Sequence, residues 1–106
     1  MKIPKKINIS GCAWKIVQTN INPFPERLDD ETDFWMGWCD SKNQTIYINS
    51  SNEMSDTKRE QVFFHELAHA VMFESALNTG DYDTNEVYAQ CFGKDFQQIF
   101  KQVKND

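Results

Sequence analysis

The segment from residue 57 to residue 77 constrains this chain most, because it predicts a long helix that the rest of the chain must cover. The segment contains no glycine or proline, and Thr57 and Glu60 have the three-residue spacing of a capping box. Apolar residues surround it on nearly every side, and a helix that is apolar all round is buried. We expect Asn78-Thr79-Gly80-Asp81 to end this helix, which then forms the centre of the core.

The two histidines of the chain both lie inside this helix, in the pentapeptide His65-Glu66-Leu67-Ala68-His69. Residues four apart share one face of a helix, so both imidazoles can reach a single metal ion. The glutamate between them lies beside that ion and can accept a proton from a water molecule that the metal activates. The pattern therefore predicts a zinc site with His65 and His69 as ligands and Glu66 as the general base of a hydrolase.

Length and composition favour one domain, residues 1–106, because a chain of this size buries a single modest core. The net charge of −5 disfavours nucleic acid as a partner, since phosphate binding requires a basic surface. No apolar run approaches the length of a membrane span, and no apolar signal core follows the N-terminal lysines. The three cysteines lack CxxC spacing, which is typical of reduced thiols, so we expect a cytoplasmic protein.

The first half of the chain is predicted to form strands. Residues 3–20 contain one or two strands, and segments 34–39 and 44–49 have the pattern of a hairpin whose turn is residues 40–43. Between them, residues 20–33 contain two prolines and five carboxylates, which indicates a surface loop. These strands and the helices that follow predict an α+β fold, with a small antiparallel-rich sheet packed against a buried helix and a C-terminal helix.

A second helix is predicted to begin near Asp83 or Thr84. It carries an apolar stripe that we expect to belong to the core. The stripe consists of Tyr88, Phe92, Phe96, Ile99 and Val103. Another flank of this helix carries small or polar residues, namely Glu86, Ala89, Gln90 and Gly93. A glycine within a helix costs about 1 kcal/mol relative to alanine, so Gly93 indicates close approach of another backbone, and we expect this flank to lie against the histidine helix.

A third zinc ligand must come from a carboxylate or a thiolate, because a catalytic zinc takes three protein ligands and the chain has no third histidine. The metzincin class needs glycine and histidine three and six residues after His69, and Met72 and Ser75 stand there instead. Glu86 is favoured, because it opens the second helix on the flank just described. Its alternative role is a helix N-terminal acid that closes a capping box with Asp83. The other candidate ligands are Asp81, Asp83 and Cys91.

The motif, the strand-rich first half and a glutamate at the start of the next helix resemble the ImmA/IrrE-type zinc metallopeptidases, in particular the very small members encoded by bacteriophages and prophages. Besides residues 65–70, the resemblance includes segments 2–7 and 45–49. It implies a minimal zincin-like fold with His65, His69 and Glu86 as zinc ligands and Glu66 as general base. It further implies a zinc endopeptidase that acts on a regulatory protein in the bacterial host cell. A phage repressor is one candidate for that substrate.

One position departs from the related thermolysin-like enzymes, which place an aspartate four residues after the ligand glutamate. Here that position is Gln90, whose carbonyl supports an imidazole less strongly than a carboxylate does. Tyr82 is a candidate for stabilising the oxyanion. Strand 45–49 would hold an extended substrate by β-addition if it lies at the sheet edge. The alternative to a peptidase is a non-catalytic, zinc-stabilised phage binding or regulatory module, which the small size and Gln90 favour.

Overall fold

A computed structural model of the chain describes residues 1–28, 34–77 and 80–105. Part of the predicted acidic loop, residues 29–33, and part of the predicted helix terminator, residues 78 and 79, lie outside the described residues. The described elements are β1 (Lys6–Ile9), β2 (Cys12–Thr19), a 3-10 turn (Pro25–Arg27), β3 (Gly37–Asp40), β4 (Thr45–Asn49), α1 (Asp56–Glu74) and α2 (Tyr82–Asn105). The predicted α+β fold is confirmed.

The four strands form one mixed sheet in the order β1-β2-β4-β3. The first two strands pair antiparallel, β2 and β4 pair parallel, and β3 and β4 form the predicted antiparallel hairpin. Because β4 has a neighbour on each side, the condition under which strand 45–49 would hold an extended substrate is not met. The edge strand on this side of the sheet is β3.

The core lies between one face of the sheet and α1. Trp14 of β2 and Ile46 and Ile48 of β4 are fully buried, and Phe63 of α1 is 2 % exposed. These side chains belong to a single apolar cluster, which also holds most of the apolar residues of α1. The expectation that the histidine helix is buried is therefore confirmed, and burial of this apolar surface is the main stabilising contribution.

The start of α1 differs from the sequence prediction by two residues. Ser55 is the N-cap, and its Oγ accepts a hydrogen bond from the backbone N–H of Lys58 at 3.1 Å. The proposed cap at Thr57 is wrong, because that residue already lies within the helix. Glu60 does not close a capping box there, and its carboxylate accepts a hydrogen bond from Gln97 of α2 instead.

The C-terminal end of α1 comes at Glu74, earlier than predicted. Ala76 adopts a left-handed backbone conformation with φ of 56°, and the N–H of Leu77 donates to the carbonyl of Met72 at 2.8 Å. This reversal satisfies the last carbonyls of the helix, a role usually taken by glycine. The structure uses alanine there, which the sequence pattern did not indicate.

Helix α2 packs antiparallel against α1 through the flank of small residues, as predicted. Ala89 is fully buried, and a Cβ atom added at Gly93 would lie 3.0 Å from the Cα atom of His65. Contacts of Glu86 with the two imidazoles hold the first turns of α2 against α1. Further along α2, the amide of Gln97 donates to Glu60 at 3.1 Å.

The apolar stripe of α2, in contrast, is not core. Tyr88, Ile99 and Val103 are 45 %, 56 % and 69 % exposed, and only Phe96 packs against the core clusters. The prediction failed because α2 is apolar over a wide arc, and α1 covers only the side on which Gly93 lets the backbones approach. None of the described helices is long and apolar enough to cross a lipid bilayer.

Candidate active site

The two histidines and the glutamate of the α1 motif face a cleft of about 1160 Å³ that is also lined by residues of β3 and α2. Potential ligand atoms of His65, Glu66 and His69 all lie within 4.8 Å of one another. The two imidazole rings are 5.0 Å apart between centroids. The four-residue spacing accounts for the shared face of the two histidines, and the structure shows that the Glu66 carboxylate lies close to both.

Glu86 of α2 lies directly opposite the two imidazoles. Its Oε1 atom is 2.8 Å from Nε2 of His69, and its Oε2 atom is 3.2 Å from Nε2 of His65. Both imidazoles present Nε2 to the same carboxylate. The side chains of His65, Glu66, His69 and Glu86 together form a small polar centre. Two nitrogens and a carboxylate are the donor set of a catalytic zinc site that keeps a position open, and these residues therefore fit the metal.

The start of α2 leaves Glu86 free for this arrangement. The Asp81 carboxylate accepts hydrogen bonds from the N–H of Asp83 and from the hydroxyl of Thr84, so Asp81 supplies the cap. The alternative in which Glu86 closes a capping box with Asp83 is wrong, because its carboxylate faces the imidazoles. Asp83 and Cys91 are exposed, and over the described residues the side-chain hydrogen bonds of both imidazoles are to Glu86.

Among the described residues, the carboxylates of Glu66 and Glu86 lie close to the two imidazoles. Glu86 spans both Nε2 atoms at hydrogen-bond distance, whereas Glu66 stands between the histidines on their own helix. The Glu66 residue is 7 % exposed. Glu86 thus joins the two imidazoles from α2, and Glu66 lies beside them on α1.

Burial raises the pKa of Glu66 to about 8, and the negative charge of Glu86 contributes in the same direction. A dication bound at the centre would favour the ionised form, because an adjacent positive charge opposes both causes. The pKa of Glu66 therefore depends strongly on the charge of the groups beside it.

The pKa of His69 is lowered by burial, although the negative charge of Glu86 acts in the opposite direction. The neutral imidazole is the form that binds a metal ion, since a protonated ring has no free lone pair. Burial of this ring therefore favours the form that a ligand requires.

Gly37 of β3 makes room for Glu66, and the sequence analysis did not identify it. A Cβ atom added at Gly37 would lie 2.6 Å from Cγ1 of Val62, 3.0 Å from the carbonyl oxygen of Tyr47 and 3.2 Å from Cγ of Glu66. The glycine lets the edge strand approach the motif helix closely. The sequence signal that could have identified this close approach is a glycine within a strand pattern.

Asn49 at the end of β4 is a second residue that the sequence analysis missed. Its side chain is buried, donates to the carbonyl of Trp35 at 2.8 Å and accepts from the N–H of Ser51 at 2.8 Å. The N–H of Asn49 also donates to the carbonyl of Met36. These bonds fix the segment that precedes β3, of which Trp35 and Met36 line the cleft.

Tyr82 and Gln90 both line the same cleft. Tyr82 is the first residue of α2 and is 73 % exposed. Gln90 is exposed, and among the described residues it hydrogen-bonds neither imidazole. The structure therefore places Tyr82 at the rim of the cleft and gives Gln90 no contact that orients a ligand.

Comparison with known proteins adds one finding. Residues 15–94 match the family model Peptidase_M78, described as the IrrE N-terminal-like domain. The matched range begins in β2 and extends into α2, so it includes the motif of α1 and Glu86. No curated protein and no solved structure matches the chain significantly.

Proposed function

Because the chain belongs to the Peptidase_M78 family of IrrE N-terminal-like domains, which supports a peptidase-type activity, we propose that it is a zinc-dependent endopeptidase. We further propose that it is encoded by a phage or prophage and cleaves a regulatory protein, for example a phage repressor, in the cytoplasm of the bacterial host. The single observation that carries the proposal is the Glu86 carboxylate spanning the Nε2 atoms of His65 and His69, with Glu66 buried beside them.

In this proposal His65, His69 and Glu86 hold the zinc ion. Zinc, when bound, supplies Lewis-acid chemistry that polarises a carbonyl group and lowers the pKa of water. Glu66 accepts a proton from the attacking water and later passes it to the amine that leaves. Its burial keeps the carboxylate dry and close to the reacting groups, so this proton is not lost to bulk solvent.

The edge strand β3 is the element that we propose holds the substrate. It pairs with β4 on one side only, and Gly37 brings it next to Glu66. An extended peptide that adds to this free edge would run along the cleft, past the polar centre. Tyr82, at the rim of the cleft, is the candidate donor to the oxyanion.

A second candidate function is a non-catalytic, zinc-stabilised phage module that binds a partner without cleaving it. The observation that favours it is Gln90, which does not support a ligand imidazole in the way that a second carboxylate would. Under this alternative the same residues bind zinc, but Glu66 has no chemical role.

The substitution Glu66→Gln separates the two functions. The amide has nearly the same shape, so zinc content and thermal stability should stay close to those of the wild type. It cannot accept the proton, and general base catalysis contributes about 10²–10⁴-fold in rate. We expect a folded, zinc-loaded protein that no longer cleaves a co-expressed candidate repressor, measured by immunoblot of the repressor.

Glu53→Gln is the matched control, because Glu53 is exposed in the loop before α1 and does not line the cleft. It should cleave like the wild type. If Glu66→Gln has the same biological effect as the wild type in every assay, the peptidase proposal fails and the binding-module alternative is retained.

A further inference from the structure

Outside its polar centre, the cleft is basic over the residues that the structure describes, whereas the chain as a whole is acidic. Apart from Glu66 and Glu86 at the polar centre, the described residues that line the cleft include Arg27, Lys58 and Lys94 but no carboxylate. The chain as a whole has 16 acidic and 11 basic residues. A concave surface lined by one sign of charge attracts ligands of the other sign, so this distribution indicates an acidic ligand.

Lys58 and Lys94 lie at the same end of the cleft. Lys58 precedes His65 by seven residues on α1, and Lys94 follows Glu86 by eight residues on α2. At 1.5 Å per helical residue, Lys58 lies about 10 Å from His65 along α1. Lys94 lies nearer the polar centre, because it directly follows Gly93, which packs against the backbone of His65. Three residues further along α2, Gln97 donates to Glu60. Because the two helices are antiparallel, both lysines lie on the same side of the polar centre, one on each helix.

Neither lysine is neutralised by a residue that the structure describes. Both are exposed, and neither forms an ion pair with any of the described residues. Other cations nearby are already engaged, since Lys101 pairs with Glu60 at 3.6 Å and the Arg27 guanidinium lies 4.0 Å from the centroid of the Phe24 ring. The two lysines are therefore free to bind a charged group that enters the cleft.

We propose that Lys58 and Lys94 form a specificity subsite that binds an acidic side chain of the peptide substrate, a proposal that rests on the proposed peptidase function. An extended peptide rises about 3.3 Å per residue, so for a peptide that runs along α1 the 10 Å between His65 and Lys58 corresponds to about three residues from the scissile bond. The substrate class is thus a peptide segment with a glutamate or aspartate at that distance on one side of the cleavage position.

The test uses three labelled dodecapeptides that share one alanine–leucine sequence. They differ only at the third and fourth positions on each side of the central bond. The first peptide carries glutamate at these positions, the second glutamine and the third lysine. Binding is measured by fluorescence anisotropy with zinc-loaded Glu66→Gln protein, and cleavage with the wild type. Exposed ion pairs contribute about 0.2–1 kcal/mol, so we expect each lysine to favour the glutamate peptide by about 1.4- to 5-fold. The preference should shrink in 0.5 M salt, which screens exposed charges.

The double substitution Lys58→Glu and Lys94→Glu should reverse the preference. The matched control is Lys15→Glu with Lys104→Glu, which changes the net charge equally at lysines that do not line the cleft, and it should keep the wild-type preference. The proposed subsite is overturned if the protein binds the three peptides with equal affinity or binds none of them. It is also overturned if the control variant reverses the preference as strongly as the double substitution does.

The same experiment separates this subsite from the proposed function. A charge preference in binding without cleavage by the wild type retains the subsite and contradicts the peptidase. Cleavage of all three peptides at equal kcat/KM retains the peptidase and overturns the subsite.

Discussion

Replacing Gly93 with alanine tests whether the close packing of α2 on α1 positions the polar centre. The added Cβ would lie 3.0 Å from Cα of His65 and 3.1 Å from the carbonyl oxygen of Phe64, and both are backbone atoms that cannot rotate away. Favourable contacts between carbon atoms are about 3.5–4.0 Å. Helix α2 must therefore move outward by roughly 0.5–1 Å. Glu86, seven residues earlier on the same helix, moves with it.

Two opposing contributions set the effect of Gly93→Ala on stability. Overpacking costs about 1–3 kcal/mol, whereas alanine favours the helix over glycine by about 1 kcal/mol. The free energy of unfolding of the metal-free protein should therefore fall by about 0–2 kcal/mol. Zinc binding should suffer more, because ligand distances tolerate only about 0.2 Å of error, and we expect affinity to fall by about 10- to 100-fold.

The assay combines urea unfolding in excess chelator with zinc affinity measured by competition against a fluorescent chelator. Gly80→Ala is the matched control, since no heavy atom lies within 4 Å of a Cβ atom added there, and it should leave both quantities nearly unchanged. The reasoning is refuted if Gly93→Ala binds zinc as tightly as the wild type and its metal-free form is more stable by about 1 kcal/mol, the gain expected from helix propensity alone.

Four further outcomes follow from the same contacts. Gly37→Ala should lower the free energy of unfolding by about 1–3 kcal/mol, measured in urea, because the added Cβ would lie 2.6 Å from Cγ1 of Val62. Glu86→Ala should lose zinc in elemental analysis while Asp81→Ala retains it; the opposite result would contradict the ligand assignment. Asn49→Ala should cost about 1–3 kcal/mol in the same unfolding assay, since it leaves buried backbone groups without their partner. Removal of zinc by a chelator should lower the Tm without unfolding the chain, because the metal links two helices whose apolar core forms without it; an unchanged Tm with zinc shown to be absent would exclude this link.

The sequence by itself determined the local features of the site. The spacing of His65 and His69 on a helix of 3.6 residues per turn requires both to share one face, with Glu66 on the flank of that face, wherever the helix lies. The apolar surroundings of that helix required its burial, and the small residues around Gly93 indicated which flank of α2 approaches it. Each of these inferences depends on residues close together in the chain, where the geometry of one helix is enough.

The tertiary structure alone decided how distant segments meet. The alternation of apolar and polar residues within 45–49 identifies the two faces of a strand but not its neighbours in the sheet. Only the fold therefore shows that β4 is central and that β3 is the edge strand. The apolar arc of α2 is likewise wider than the surface that α1 covers, and packing chose the side with Gly93 over the side with Ile99. Lys58 and Lys94 come to one end of the cleft for the same reason, because the antiparallel packing of two helices is set by contacts between side chains far apart in sequence.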